Sequence, residues 1–126
     1  MTNEFVRKFL NHENIHSFQR EELIEKELFK VPDGQSYNVS NLAYSFFKEK
    51  KYHQAQIIYE GLICAHPLEP SNHVILGLIY YKTKQLHLAL AQFAEAVDLD
   101  PDCNAAYVAR YFLAMEERNT NSEPNV

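Results

Sequence analysis

The sequence predicts an all-α fold assembled from tandem pairs of antiparallel helices, and two observations carry that prediction. The chain resembles itself at a spacing of 34: Leu42, Ala43, Phe46, Ala55, Tyr59 and Pro67 fall on Leu76, Gly77, Tyr80, Ala89, Phe93 and Pro101. Large residues superpose on large ones and small on small. In addition, 126 residues contain only three glycines and five prolines, which permits long helices and disfavours a sheet with many tight turns. A chain of this length forms one domain with a core of moderate size and is short for an enzyme with an elaborate cleft.

The elements follow in order. Residues 1–35 read as an amino-terminal helical segment, in which Phe5, Val6, Leu10, Ile15, Phe18, Leu23, Ile24 and Leu28 form an irregular apolar stripe. Val31, Pro32, Asp33 and Gly34 end it, because proline removes a donor and glycine permits a left-handed turn. Residues 36–69 and 70–103 are the two repeats. In the second, Leu76, Tyr80, Leu88 and Phe93 supply bulk while Gly77, Ala89 and Ala96 are small, so two helices approach closely with Gly77 against Ala89. Pro101 stops the second helix and Pro67 does the same one repeat earlier. Residues 104–116, through Ala105, Tyr107, Val108, Tyr111, Phe112 and Met115, form a capping helix or partial repeat over the apolar face of repeat two. Residues 117–126 are polar, contain Pro124 and are expected to be disordered.

Charge narrows the partners. A formal net charge of -5 argues against nucleic acid or an anionic membrane surface. The one basic cluster, Lys48, Lys50 and Lys51, is interrupted by Glu49 and reads as a solvated loop. The longest apolar run, residues 74–81, is far below a membrane span, and the first residues reach charge before any apolar core of a signal peptide. The expected location is therefore the cytoplasm, with no membrane insertion. Cys64 and Cys103 have neither metal-ligand nor redox spacing, and Cys64 reads as a small buried hydrophobe.

The 34-residue unit, with its leucine, small residue, aromatic, alanine, aromatic and proline in this order, resembles the tetratricopeptide repeat. That resemblance implies a curved solenoid that binds segments of other proteins and seldom carries chemistry. No cofactor is expected, and the expected partner is a protein or peptide. There are departures from the family pattern. Val39 and His73 stand where a large or aromatic residue is usual, Leu62 stands where a small one is usual, and Arg110 and Tyr111 replace a leucine and a small residue.

By the family's geometry the inner curve is lined by the first helix of each unit. This implies a partner-binding groove of Tyr37, Ser40, Asn41, Tyr44 and Phe47, then Val74, Ile75, Leu78 and Tyr81, then Val108 and Phe112, with Tyr44 and Leu78 as the foremost contacts. Repeats that grip an acidic carboxyl terminus need Lys and Arg on these helices. Here the corresponding pairs are Tyr37 with Asn41, Ser71 with Ile75 and Ala105 with Ala109, so that carboxylate clamp is missing. An apolar inner surface needs a ligand, a partner subunit in a homodimer or heterodimer, or the chain's own amino-terminal helix to cover it. A helix laid in the groove, or an extended segment with apolar anchors, fits it.

The stretch Asn41-Leu-Ala-Tyr-Ser-Phe-Phe-Lys-Glu-Lys-Lys-Tyr-His-Gln-Ala-Gln-Ile-Ile-Tyr-Glu-Gly-Leu-Ile-Cys, followed by Val74-Ile-Leu-Gly-Leu-Ile-Tyr-Tyr, is similar to the small tetratricopeptide-repeat chaperones of bacterial type III secretion. Those proteins share its size, acidity and leading helices and hold hydrophobic translocator or needle subunits in the bacterial cytoplasm. A scaffold within a multiprotein assembly is the alternative in the same class. A third reading comes from another class. His12-Glu13-Asn14-Ile15-His16 satisfies H-E-x-x-H, in which two histidines one turn apart hold zinc and the glutamate activates water. No third histidine follows at a suitable spacing, and Asn11 and Ser17 suggest a helix boundary, so neither a metal site nor an enzyme is expected.

Overall fold

The computed structural model describes residues 4–10, 17–28 and 38–122. Among them are seven helices: α1 (Glu4–Leu10), α2 (Ser17–Leu28), α3 (Asn38–Lys48), α4 (Tyr52–Ala65), α5 (Pro70–Lys82), α6 (Leu86–Leu99) and α7 (Asn104–Ser122). Consecutive helices from α3 to α7 pack in turn, α5 also meets α7, and α1 and α2 pack on each other and on α7. The expected all-α solenoid is present, with one helix pair in each of residues 36–69 and 70–103. The break at residues 31–34 lies outside the described residues.

The period extends to the backbone. At the end of α3, the Lys50 and Lys51 amides donate to Phe47 and Phe46 carbonyls at 3.0 and 2.8 Å; at the end of α5, Lys84 and Gln85 donate to Tyr81 and Tyr80 at 3.2 and 2.8 Å. This pair of bonds closes a helix when the next residue is left-handed, and Lys50 and Lys84 both have φ of 64°. Lysine at such a position costs about 1–2 kcal/mol relative to a right-handed residue. Its charge at a helix carboxyl end offsets roughly 0.3–1 kcal/mol of that. The basic cluster is exposed, as expected, and Lys51 pairs with Glu49 at 3.3 Å.

At the carboxyl end of each second helix the chain leaves in an extended or nearly extended conformation, at His66 and Asp100, as the following proline requires. Pro70 then opens α5 at a position whose amide has no helical partner, and the Glu69 side chain accepts from Ser71 N–H at 3.3 Å.

The tightest contact lies within repeat two. A Cβ added to Gly77 would stand 2.6 Å from Phe93 Cε1, so the small residue of α5 admits the ring of α6 and not merely Ala89. Phe93 has no room to retreat, being buried and stacked on Phe112 with centroids 5.3 Å apart. Gly61, in the interior of α4, has nothing within 4 Å of an added Cβ.

Two polar links join neighbouring units. His73, which stands where a large or aromatic residue is usual, is buried. Its Nε2 donates to the Pro67 carbonyl at 2.9 Å, and its Nδ1 lies 2.8 Å from the Gln92 side-chain amide, tying the inter-repeat turn to α5 and α6. The Tyr80 hydroxyl donates to Glu60 at 3.0 Å, joining α5 to α4. Burial, then the Glu60 bond, raises the Tyr80 pKa above its usual 10; burial, then Tyr44, raises that of Tyr59.

Several expected positions differ. Leu42 is 50% exposed although Leu76, its counterpart, is 2% exposed. Leu76 has the preceding unit's α4 beside its helix, whereas among the described residues no helix is packed in that way before α3. Leu88 is exposed because the buried row of α6 is Ala89, Phe93 and Ala96, about 100° around the helix from it. Cys64 is exposed for the same reason, one residue past the row containing Ala55, Tyr59 and Ile63. The last helix does not end at 116, and residues 117–122, expected to be disordered, are helical. Glu116, Glu117 and Arg118 are good helix formers, and no glycine or proline intervenes before Pro124, so a helix nucleated on α6 propagates outward.

Two predictions follow from these contacts. Gly61→Ala should stabilise the protein by up to about 1 kcal/mol, the helix-propensity gain, whereas Gly77→Leu should destabilise it by about 1–3 kcal/mol or more through overpacking. Urea unfolding measures both, and a Gly77→Leu midpoint at or above that of the parent contradicts the placement of the ring. The second concerns alkali. The unfolded chain ionises Tyr59 and Tyr80 before the folded one does, so their contribution is complete below about pH 10 and is lost as pH rises beyond it. The urea midpoint should fall between about pH 9.5 and 11, and less steeply in Tyr80→Phe than in the parent.

Candidate functional site

The inner-face residues do not share one environment. On α3, Ser40 is exposed and Asn41, Tyr44 and Phe47 are half-buried. Lys48 Nζ lies 5.5 Å from the Tyr44 ring centroid, a cation over an aromatic face, and the Phe47 ring meets Tyr52 edge-on at 5.8 Å. This end of the face is open. Tyr37 lies outside the described residues.

Toward α5 and α7 the face is closed. Val74, Ile75, Leu78 and Val108 are buried, with Leu78 5% exposed, so in this state they belong to the core instead of lining a free groove. The residues from His73 to Tyr80 are all buried, more than two turns of α5, which means that the helix is covered on every side. Tyr81 and Phe112 are half-buried and turn their rings to each other at 5.3 Å, with Phe112 also stacked on Phe93. Of the remaining clamp positions, Ala105 and Ala109 are likewise buried and Ser71 is half-buried.

The amino-terminal helices enter the same core. Phe9, Ile24 and Leu28 are buried and belong to one cluster with Val74, Ile75, Leu78, Val108 and Ala109. Phe9 is 0% exposed, stacks on Phe5 at 5.7 Å and meets Tyr111 of α7 edge-on at 5.1 Å. Tyr111 stands 34 residues after Gly77. Where Gly77 admits a ring from the second helix of its repeat, Tyr111 meets a ring from α1. Ile24 and Leu28 were part of the apolar stripe read from sequence but not assigned to this site, and Phe9 was left out of that stripe. Their spacing shows only that they are buried on something.

His12, Glu13 and His16 lie outside the described residues, and among the described residues no three His, Cys, Asp or Glu side chains are grouped to hold a metal. Cys103 sits before α7 with its thiol donating to the Asp100 carbonyl at 3.2 Å, and burial is the main cause that raises its pKa. No described helix is long and apolar enough to cross a membrane.

Residues 71–103 match the family model of the tetratricopeptide repeat. The matched span is repeat two, where the close helix approach and the interior proline spacing are both complete. No curated protein and no solved structure matches the chain. The protein is therefore similar to tetratricopeptide-repeat proteins in fold, and a repeat of this kind is a protein-interaction module.

Zinc content checks the remaining H-E-x-x-H motif. The purified protein should hold no stoichiometric zinc, and the double variant His12→Ala, His16→Ala should unfold at the parent's temperature. One zinc per chain by elemental analysis, lost in the double variant, is the contrary outcome.

Proposed function

We propose that the protein is a binding chaperone or adaptor that masks an apolar, helical segment of a partner protein along the inner face of its repeats. Within that class the partner is an exported translocator or needle subunit of bacterial type III secretion, held in the cytoplasm before export. The observation that carries the reading is the make-up of the inner face. Tyr44, Phe47, Val74, Leu78, Tyr81, Val108 and Phe112 are aromatic or aliphatic, and the described clamp positions Asn41, Ser71, Ile75, Ala105 and Ala109 carry no positive charge. Such a face selects apolar anchors over carboxylates. Acidity, size and the leading helices support the narrower assignment.

A scaffold role is the second reading, and a separate observation favours it. Val39 and Leu42 on α3 and Ile57 on α4 are about half exposed, an apolar edge at the open end of the stack against which an assembly subunit could pack.

Leu78 is buried, so its substitution tests the fold more than the site. The half-open residues are better probes. The double variant Tyr44→Ala, Phe47→Ala should weaken binding of the partner captured from the native host by at least roughly tenfold while leaving helicity unchanged, since aromatic anchors dominate such interfaces. Affinity should change little between low and physiological salt. Full affinity in the variant places binding elsewhere, at the free edge of repeat one, and collapse of affinity with salt assigns it to charged outer surface.

A further inference from the structure

Helix α5 is held to the unit before it by one of its faces. His73 and Tyr80, two turns apart, bond to the Pro67 carbonyl and to Glu60, and Leu76 lies between them on the same side of the helix, 2% exposed. The positions one period earlier, on α3, are Val39, Leu42 and Phe46. Val39 and Leu42 are 52% and 50% exposed and Phe46 is half-buried. Among the described residues no helix is packed before α3 as α4 is packed before α5.

The two faces differ in their polar groups. Both residues that make a polar link in α5 are replaced in α3 by side chains that neither donate nor accept: Val39 stands for His73 and Phe46 for Tyr80. A helix seated on α3 as α4 is seated on α5 therefore needs no carbonyl or carboxylate at the contact, and offers apolar side chains at three- and four-residue steps instead. Its direction follows from the same comparison. Glu60 meets α5 at Tyr80, near the carboxyl end, and Pro67, beyond the end of α4, meets it at His73, near the amino end, so the two helices run antiparallel. The first turns of a helix seated in this way on α3 lie beside Phe46. The residues after Phe46 include Lys48, Lys50 and Lys51, all exposed, the one basic cluster in a chain of net charge -5. Lys51 pairs with Glu49 and Lys48 lies over Tyr44, which leaves Lys50 as the foremost cation. Charge complementarity at this end calls for acidic residues in the first turn of the occupant, where a helix amino terminus also favours them.

We propose that the open face of α3 is the docking site for one amphipathic helix of a partner protein, laid antiparallel to α3, with acidic residues in its first turn and apolar residues against Val39, Leu42 and Phe46. This rests on the scaffold reading and gives that reading a partner of defined chemistry. A second copy of the chain has no matching helix to offer, because the side of α4 that receives a first helix is taken by α5 and that of α6 by α7. The site is also distinct from the inner face. Tyr44 stands about 160° around α3 from Phe46, so a segment held on the inner face leaves this one free.

The experiment titrates the 126-residue chain with a capped synthetic helical peptide that has glutamates in its first turn, leucines at three- and four-residue steps along one face, and alanine and glutamine elsewhere. The variant Val39→Gln, Leu42→Gln should bind it at least roughly tenfold more weakly than the parent, with helicity unchanged because both side chains are half exposed. A second peptide with the glutamates moved to its last turn should bind the parent severalfold more weakly than the first, and physiological salt should narrow that difference. Equal affinity in variant and parent, no binding at millimolar peptide, or a preference for the second peptide overturns the proposal. If the variant loses helicity, Lys50→Gln decides: it should abolish the preference for first-turn glutamates, and a preference that survives overturns the assignment. A parent that sediments as a dimer, reduced to a monomer by Val39→Gln, Leu42→Gln, gives the face to a second copy and overturns it too. The outcome is separable from that of the scaffold reading, which is read by capture of the native partner. Peptide binding with capture unaltered in Val39→Gln, Leu42→Gln keeps the helix site and removes the scaffold role. Lost capture without peptide binding keeps the edge as a partner contact and removes the helix.

Discussion

The distance between α5 and α6 is set by the absence of a single side chain. With no Cβ on Gly77, the ring of Phe93 lies against the α5 backbone, and the stacking of Phe93 on Phe112 transmits that position to α7. Tyr111, beside Phe112, then meets Phe9. One close approach therefore begins a series of ring contacts running from the interior of repeat two to the amino-terminal helix. Because Phe93 and Phe9 are buried and the rings between them are in contact, a shift at one is felt at the next. The polar ties of His73 and Tyr80 hold the flanking turn and the preceding repeat to the same helix, which makes α5 the element on which both neighbours are aligned.

The repeat region was legible because its information is local and occurs twice. The superposition of Ala55 on Ala89 and Pro67 on Pro101 needs no knowledge of the rest of the chain, and the structure reproduces it in the helix pairs. The period also extends to the left-handed lysines, which composition conceals because glycine is the usual residue there. What failed was inference about ends. A repeat pattern assigns Leu42 the environment of Leu76, yet only an interior unit has neighbours on both sides. Likewise the polar composition after Met115 suggested disorder, but a helix already nucleated needs only the absence of a breaker to continue.

The inner face was legible in composition and illegible in state. Its aromatic and aliphatic character is written in α3, α5 and α7, whereas the packing around it includes pairings such as Phe9 with Tyr111, whose partners are roughly a hundred residues apart and share no local pattern. The result divides the face in two. The α3 end, with Tyr44 and Phe47, remains half-open, and the α5 and α7 end is sealed.

The union of α1 with α7 also bears on how the protein is made. On a ribosome α1 is made before its seat on α7, so at elongation rates of about 5–20 residues per second Phe9 waits on the order of ten seconds for Tyr111. In the last part of that interval α5 is already synthesised, and its residues have no α7 beside them. An apolar segment close by would meet uncovered residues of α5 during synthesis and buried ones afterwards.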